Sequence, residues 1–367
     1  MEGVVMFQNI YQGRRVLITG HTGFKGAWLT RWLLSLGAEV TGLALAPETT
    51  PSLFDLLGLE DQIRHHVADI RDVQAVRLIV EEARPEIVFH LAAQALVRPS
   101  YQDPKCTWDT NVGGTVNLLE AIRLTPGVRA CVVVTSDKCY ENVEQFWGYR
   151  ESDPLGGHDP YSSSKGAVEL AVASWRKSFF QNRGGLRLAS ARAGNVIGGG
   201  DWAPERIVVD FVRAIRAGRP LTLRNPGATR PWQHVLEPLS GYLDLGARLF
   251  GEDGWRFAES WNFGPSEASV VTVLALADAL VASWGAGEVQ VQQEANQPHE
   301  AGLLKLDCSK AHALLQWHGT WDFSETVRQV VAWYRGHHEG LVAQELTLQQ
   351  IDAFEAAAAS LGLPWTR

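Results

Sequence analysis

Residues 14–37 read RRVLITGHTGFKGAWLTRWLLSLG, and this stretch decides the fold. The apolar run RRVLITG ends on a glycine and predicts a buried strand. FKGAWLTRWLLSLG has a helical apolar pattern and closes on Gly37. Between them Gly20, Gly23 and Gly26 stand at GxxGxxG spacing. Glycines at a first strand-to-helix turn let the backbone turn tightly and let a pyrophosphate approach the helix N-terminus. The free N–H groups and dipole of that helix end then favour the anion. A glycine triplet alone is weak, but this one follows a strand and opens a helix, the context that gives the motif meaning.

The same alternation continues outward. AEVTGLAL, HHVADI, PEIVFHLAA, RACVVVTS and LRLASARA read as strands. VQAVRLIVEEAR, NVGGTVNLLEAIR and PYSSSKGAVELAVASWRKSFF read as helices between them. Strand–helix alternation predicts an α/β fold, a Rossmann-type doubly wound parallel sheet with right-handed crossovers. Ligands in such sheets bind beyond the carboxyl ends of the strands. From about Gly198 the pattern changes. The helices RIVVDFVRAIRAG, LSGYLDLGARLF and VVTVLALADALVASW are separated by Gly- and Pro-containing loops and by the short extended pieces LTLRN, WQHV and SWNFGP. Residues 1–197 are therefore expected to form a dinucleotide-binding domain carrying the catalytic residues. Residues 198–367 are expected to form a smaller mixed α/β substrate lobe, with the chain crossing between the two. The Ala run 356–359 falls in a C-terminal helix.

The second strand ends Gly42-Leu43-Ala44-Leu45, without the acid that usually meets the adenine ribose and without a basic residue. The missing base favours NAD over NADP. Asp69, after the third strand, is placed either to meet the adenine edge or to cap the next helix.

Two further patterns carry chemistry. PYSSSK sets Tyr161 and Lys165 four residues apart, on one helix face. An ammonium beside a phenol favours the phenolate. A tyrosine so tuned exchanges a proton with a sugar hydroxyl while hydride moves to a nicotinamide. VVVTSDKCY delivers Ser136 and then an acid and a base, Asp137 and Lys138, from the end of a strand. The plain alternatives are a helix-surface pair and a polar turn whose ion pair contributes little.

These residues resemble the extended short-chain dehydrogenase/reductases that act on nucleotide sugars. The resemblance runs from TGHTGFKG through HLAAQ, NVGGT, PYSSSK and ARAGNVIGGGD to LKLDCSKAHALLQW. It implies a Ser136–Tyr161–Lys165 set, with Asn111 on the helix packed beneath it. It also implies cofactor contacts from Gly20, Thr22, Gly23, Phe24, Lys25, Gly26, Asp69, Ile70, Leu91, Ala92, Ala93, Thr135, Tyr161 and Lys165. Substrate contacts are implied at Gln94, Arg98, Asn195, Arg206, Arg224 and Arg230, with His234 and His299 as further pocket candidates. Trp147 and Tyr149 would either cover the sugar or pack their own loop. Pairing of the helices around Asn111 and Tyr161 into a homodimer, or a homotetramer, is implied as well.

Within that family the neighbours of Tyr161 select the reaction. Epimerases need little beyond the Ser–Tyr–Lys set. A 4,6-dehydratase also removes the C5 proton and expels the C6 hydroxyl, which requires a base and an acid. The commoner sugar dehydratases carry Asp-Glu at that pair, whereas here the second residue is Lys138. TSDKCY, WGYRE, NVIGGGDW, RNPGATRPWQHVLEPLSGY and LKLDCSK resemble the CDP-glucose 4,6-dehydratase branch. That likeness implies NAD-dependent conversion of CDP-D-glucose to CDP-4-dehydro-6-deoxy-D-glucose on the route to 3,6-dideoxysugars of lipopolysaccharide O antigens. Asp137 would be the acid toward the C6 oxygen and Lys138 the base at C5. An epimerase, a dehydratase for another nucleotide and a non-catalytic dinucleotide-binding protein are the competing readings.

Composition agrees with an enzyme of small molecules. A hydrophobic fraction of 46% over 367 residues supports a sizeable core, and a net charge of −8 lacks the basic footprint of a nucleic-acid binder. Cys106, Cys131, Cys139 and Cys308 have no paired metal spacing and read as reduced thiols, so no metal is expected. The N-terminus has no long apolar h-region and no apolar run reaches membrane-span length. A cytoplasmic protein is expected.

Overall fold

The structure, a computed structural model, describes residues 5–180, 185–292 and 303–367. Its centre is a seven-stranded sheet. The strands are β1 (Arg15–Thr19), β2 (Glu39–Ala44), β3 (Arg64–Val67), β4 (Ile87–His90), β5 (Ala130–Val134), β6 (Arg187–Ala193) and β7 (Ser260–Phe263). Their order is β7-β6-β5-β4-β1-β2-β3 and every pairing is parallel. The order reverses between β1 and β4, the switch point beside which ligands bind in such sheets.

Strand side chains alternate between two apolar layers. Val16, Ile18, Val132 and Val134 enter one layer, with Trp28 and Trp32 of helix α1 (Phe24–Ser35). Leu17, Cys131 and Val133 enter the other. That second layer receives Val76 and Ile79 of α2 (Val73–Ala83), Leu118 of α3 (Gly114–Leu124) and Val168 of α4 (Pro160–Phe179). The sheet is thus buried on both faces, as parallel sheets require.

The remaining helices are α5 (Ile207–Arg216), α6 (Leu236–Phe250), α7 (Val273–Trp284), α8 (Phe323–His338) and α9 (Ala343–Ser360). α6 lies against β5 and β6, and β7 extends the sheet beyond β6. α9 packs on α1. Much of the chain after residue 198 therefore belongs to the sheet body. What stands apart are α5, α7 and three two-stranded pairs, such as Leu221–Leu223 with Val289–Val291. Among the described residues no helix is long and apolar enough to cross a membrane.

Three histidines are buried as neutral rings. His90 bridges Thr19 and Thr115 at 2.6 and 2.8 Å. His234 lies edge-on to Trp28 and Trp321, and His21 bonds His65 at 2.7 Å. Burial pushes each ring down to about 3. The unfolded rings take a proton near ~6.5. Their contribution is therefore complete above that pH and is lost as pH falls toward 3. Each ring is expected to cost about 2 kcal/mol of stability between pH 6.5 and 5. Urea midpoints should fall clearly from pH 7 to pH 5, and equal midpoints would refute the buried neutral state.

Candidate active site

α1 begins at Phe24 with Gly23 as its N-cap, and no side chain caps it. The turn before it closes on Gly20, whose carbonyl accepts from the Gly23 N–H at 3.2 Å. Gly20 has φ +77°, and a Cβ there would lie 2.7 Å from the Ala92 nitrogen. A Cβ on Gly26 would lie 2.1 Å from the Gly20 carbonyl oxygen. Only glycine permits this cradle. Thr22 closes its rim by donating to the Leu45 carbonyl at 2.9 Å, and Ala92 N–H donates to Thr19 at 3.2 Å. The cradle fits a dinucleotide pyrophosphate. Ile70 is buried against Gly114 of α3.

Asp69 is held by Arg71, which donates from its guanidinium at 2.5 Å and from its backbone at 2.9 Å. This pairing holds its carboxyl below the usual range. The capping role considered for Asp69 belongs instead to Asp72, which accepts from the N–H groups of Gln74 and Ala75. Asp72 directly precedes α2, and Asp69 is one turn too early.

Ser136 lies two residues beyond the end of β5 and caps the short turn Asp137–Cys139. Its hydroxyl accepts from Lys138 N–H at 3.2 Å and donates to Asp137 at 3.0 Å. α4 starts on Pro160, with Asp159 accepting from Ser162 N–H at 2.9 Å. This cap fixes Tyr161, whose backbone N–H donates to the Ser100 hydroxyl at 3.2 Å and whose phenol feels the nearby Ser136. Lys165, one turn on, carries its ammonium 6.0 Å from the Tyr161 ring centre. Asn111 sits in the π-helical turn Asp109–Gly113 and donates to Ser164 at 2.8 Å and to the Gln94 carbonyl at 3.1 Å. It thereby ties α4 to the loop after β4. Ser136, Asp137, Tyr161 and Lys165 are all buried at one point.

The charges differ from the simplest expectation. Lys165 was expected to lower the tyrosine pKa, yet burial pushes Tyr161 up to about 12, opposed by Ser136 and Arg206 rather than by Lys165. Burial brings Lys165 down to about 8, opposed by Cys139 and Glu169. Asp137 is raised by burial, opposed by Lys138, Ser136, Arg230 and Lys25. Lys25 falls to about 8 through burial and the nearby Arg206. Several cations thus converge on one carboxylate, which makes a local anion site in an acidic chain.

The expected substrate residues divide. Arg206 bears electrostatically on both Lys25 and Tyr161, and Arg230 on Asp137. Arg98 donates to Glu205 at 2.8 Å, and Arg224 stands 4.0 Å from the same carboxylate. The Asn195 carbonyl accepts from Gln233 N–H at 3.2 Å. Gln94, expected at the substrate, has its amide engaged in its own loop, donating to Leu96 and Thr107 and accepting from Leu96 N–H. His234 was expected to line the pocket. It is fully buried, edge-on to Trp28 and Trp321 and accepting from the Leu236 N–H at 3.3 Å, so it belongs to the core. His299 lies outside the described residues. Tyr149 packs its loop, stacked on Tyr140 at 5.2 Å, whereas Trp147 is exposed.

The sequence reading missed what supports Lys165. Glu169, one turn further along α4, forms a 2.8 Å ion pair with Arg192 of β6, both fully buried. Thr135, expected at the cofactor, donates its hydroxyl to Glu169, and Ser190 donates to it at 2.7 Å. Arg192 also donates to Tyr140 at 2.6 Å, and Tyr140 donates to Asn262 at 2.8 Å. The i, i+4 spacing of Lys165 and Glu169, with Arg192 between Ala191 and Ala193 in a strand that is buried throughout, was the available signal.

A dinucleotide cradle at the switch point, with a helix-borne tyrosine–lysine pair and a strand-end serine, defines an extended short-chain dehydrogenase/reductase. The chain belongs to this class through the family described as GDP-mannose 4,6 dehydratase, whose model matches residues 17–330. Its relatives are more particular. It is 50% identical over 337 residues to CDP-glucose 4,6-dehydratase of Salmonella typhimurium, covering 91% of this chain and 94% of that protein. It is 29% identical to the structure of Thermus thermophilus UDP-glucose 4-epimerase in complex with NAD, with a TM-score of 0.74 and coverage of 88% and 99%. The dTDP-glucose 4,6-dehydratase of Streptomyces venezuelae shares the fold at a TM-score of 0.75 and 24% identity, over 89% of this chain and 98% of that one.

Proposed function

We propose that this chain is an NAD-dependent hydro-lyase that converts CDP-D-glucose to CDP-4-dehydro-6-deoxy-D-glucose and water. The observation that carries the reaction is the buried Asp137, next to Lys138 in the chain and hydrogen-bonded to Ser136 beside Tyr161. The 50% identity to a CDP-glucose 4,6-dehydratase supports the nucleotide. NAD, held by the Gly20–Gly26 cradle, would accept hydride from C4 and return it to C6. Tyr161 takes the C4 hydroxyl proton, with Ser136 holding the same oxygen. Once C4 is a ketone the C5 proton is acidified, and the C6 hydroxyl lies β to the carbonyl. Lys138 removes the C5 proton and later returns it. Asp137 gives its proton to the departing C6 oxygen, which leaves as water. Burial keeps Asp137 protonated more readily than an exposed aspartate, as an acid requires.

Arg98, Arg206, Arg224 and Arg230 are the proposed diphosphate contacts, because a guanidinium fork suits phosphate geometry. Asn195 is the proposed sugar contact, and Asp69 is kept as an adenine-side contact. The assignment includes a role in 3,6-dideoxysugar synthesis for O antigens, a cytoplasmic location, and assembly as a homodimer or homotetramer through α3 and α4. Leu124, Leu170 and Phe179 are exposed on those helices.

The deciding experiment incubates the protein with CDP-, dTDP-, UDP- and GDP-glucose and follows the ultraviolet absorbance that 4-keto sugars show in alkali. Product from CDP-glucose is expected. Product from dTDP-glucose with none from CDP-glucose would overturn the nucleotide assignment, and epimerised sugar without a 4-keto product would overturn the reaction.

A further inference from the structure

A cavity of about 750 Å³ opens at the end of the sheet opposite the glycine cradle. It lies where β6 and β7 begin, beside the C-terminal end of α4. Its volume falls in the range of small-molecule sites. Five cations line it against three carboxylates, in a chain of net charge −8.

Most of these charges are already satisfied. Arg150 pairs with Asp307 at 2.9 Å, and Lys310 pairs closely with Glu259. Arg187 donates to the carbonyls of Leu249 and Gly251 at 2.7 and 2.5 Å. Glu151 is engaged as well, accepting from the Asn262 N–H at 2.9 Å. Two cations remain on consecutive positions of α4. Lys177 is exposed. Arg176 is half-buried, and its one hydrogen bond among the described residues is a long one, 3.4 Å to the Leu188 carbonyl. Glu169 and Glu259 bear on Arg176 without forming an ion pair with it, so this desolvated guanidinium marks a place for an anion.

The cavity also touches the network under the catalytic lysine. Ser260 lines it, and its hydroxyl lies 3.0 Å from Ser190 and 3.3 Å from Glu169. Glu169 is one turn from Lys165 and bears on its charge, and Arg176 in turn bears on Glu169. Lys165 and Arg176 are about 16 Å apart along the same helix.

We propose that this cavity is a second binding site, taking a small phosphomonoester on Arg176 and Lys177, and that its occupancy is coupled to Lys165 through Glu169. A phosphomonoester carries a charge near ~−2 at neutral pH, which matches two cations. The cavity exceeds what a bare phosphate ion would fill. A dianion there draws Arg176 from Glu169 and adds negative charge of its own. Both effects favour the protonated form of Lys165.

The test compares binding of glycerol 2-phosphate and inorganic phosphate, by calorimetry, to wild-type protein and to Arg176→Gln, Lys177→Glu and Arg230→Gln. Lys177 is exposed, so its variant keeps the measurement valid if Arg176→Gln folds poorly. The ester is expected to bind more tightly than phosphate. Binding should weaken at least tenfold in the α4 variants and persist in Arg230→Gln. Wild-type turnover should show its Lys165-dependent bend near pH 8 moved upward by the ester, and Arg176→Gln turnover should not. Binding lost in Arg230→Gln, binding indifferent to both α4 changes, tighter inorganic phosphate, or a bend unmoved at saturation would each overturn the proposal. The binding arms need no substrate, so they stand apart from the identity of the sugar nucleotide.

Discussion

Tyr161→Phe is expected to lower kcat by about 10²–10⁴-fold, the range that a positioned acid–base group supplies. The change removes one oxygen and leaves the ring packed, so the fold should persist. All later steps need the C4 ketone, so C5 exchange and water loss should fall together with C4 oxidation. The pH profile carries a second expectation. With Tyr161 pushed up to about 12, its phenolate is scarce at neutral pH. Turnover per encounter should therefore rise tenfold per pH unit. Once Lys165 begins to lose its proton near about 8, the gain in phenolate is offset by the loss of ammonium, and the profile flattens. The alkali absorbance of the 4-keto product measures both effects. A phenylalanine variant within threefold of wild type would remove Tyr161 from the chemistry.

The parts of this site that obey local rules were legible in the chain. GxxGxxG between a strand and a helix located the cradle, and Tyr161–Lys165 spacing located one helix face. Strand–helix alternation predicted the sheet, and β1 to β6 fall where expected. The losses have physical causes. α8 went unread although Asp322 caps it at Glu325 N–H, because its polar composition masks the spacing of Val327, Val330, Val331 and Tyr334. His234 looked like a pocket residue because sequence gives no hint that two tryptophans, from α1 and from the segment before α8, enclose it. The direction of the Tyr161 shift was misjudged for a related reason. Spacing shows a neighbouring cation, whereas desolvation depends on everything packed above the helix.

The same distinction explains Glu169 and Arg192. Neither touches the reacting atoms, and each is a long-range partner of the other. A buried ion pair gains little stability over an apolar pair, yet removal of one partner leaves a costly unpaired charge. Here the pair sits one turn below Lys165 and is braced by Thr135, Ser190 and Ser260. It keeps a carboxylate ionised next to a lysine whose own burial favours the neutral form. Lys165 thus depends on β6 and β7, far from it in sequence.

Asp137 and Lys138 should separate under mutation. Asp137→Asn keeps the hydrogen bond from Ser136 but has no proton to give, so water elimination is expected to fall by about 10²–10³-fold. Lys138 remains in place to abstract the C5 proton, so that variant in deuterium oxide should still introduce deuterium at C5 of substrate. Lys138→Met should lose both C5 exchange and elimination by a similar factor, because no base remains at C5. Mass spectrometry of recovered CDP-glucose and of the 4-keto-6-deoxy product distinguishes the two patterns. Exchange lost in Asp137→Asn but retained in Lys138→Met would reverse the assignment and make the aspartate the base. Burial argues against that reversal. It raises Asp137 and holds the proton that an acid needs, even with Lys138, Arg230 and Lys25 pulling the other way.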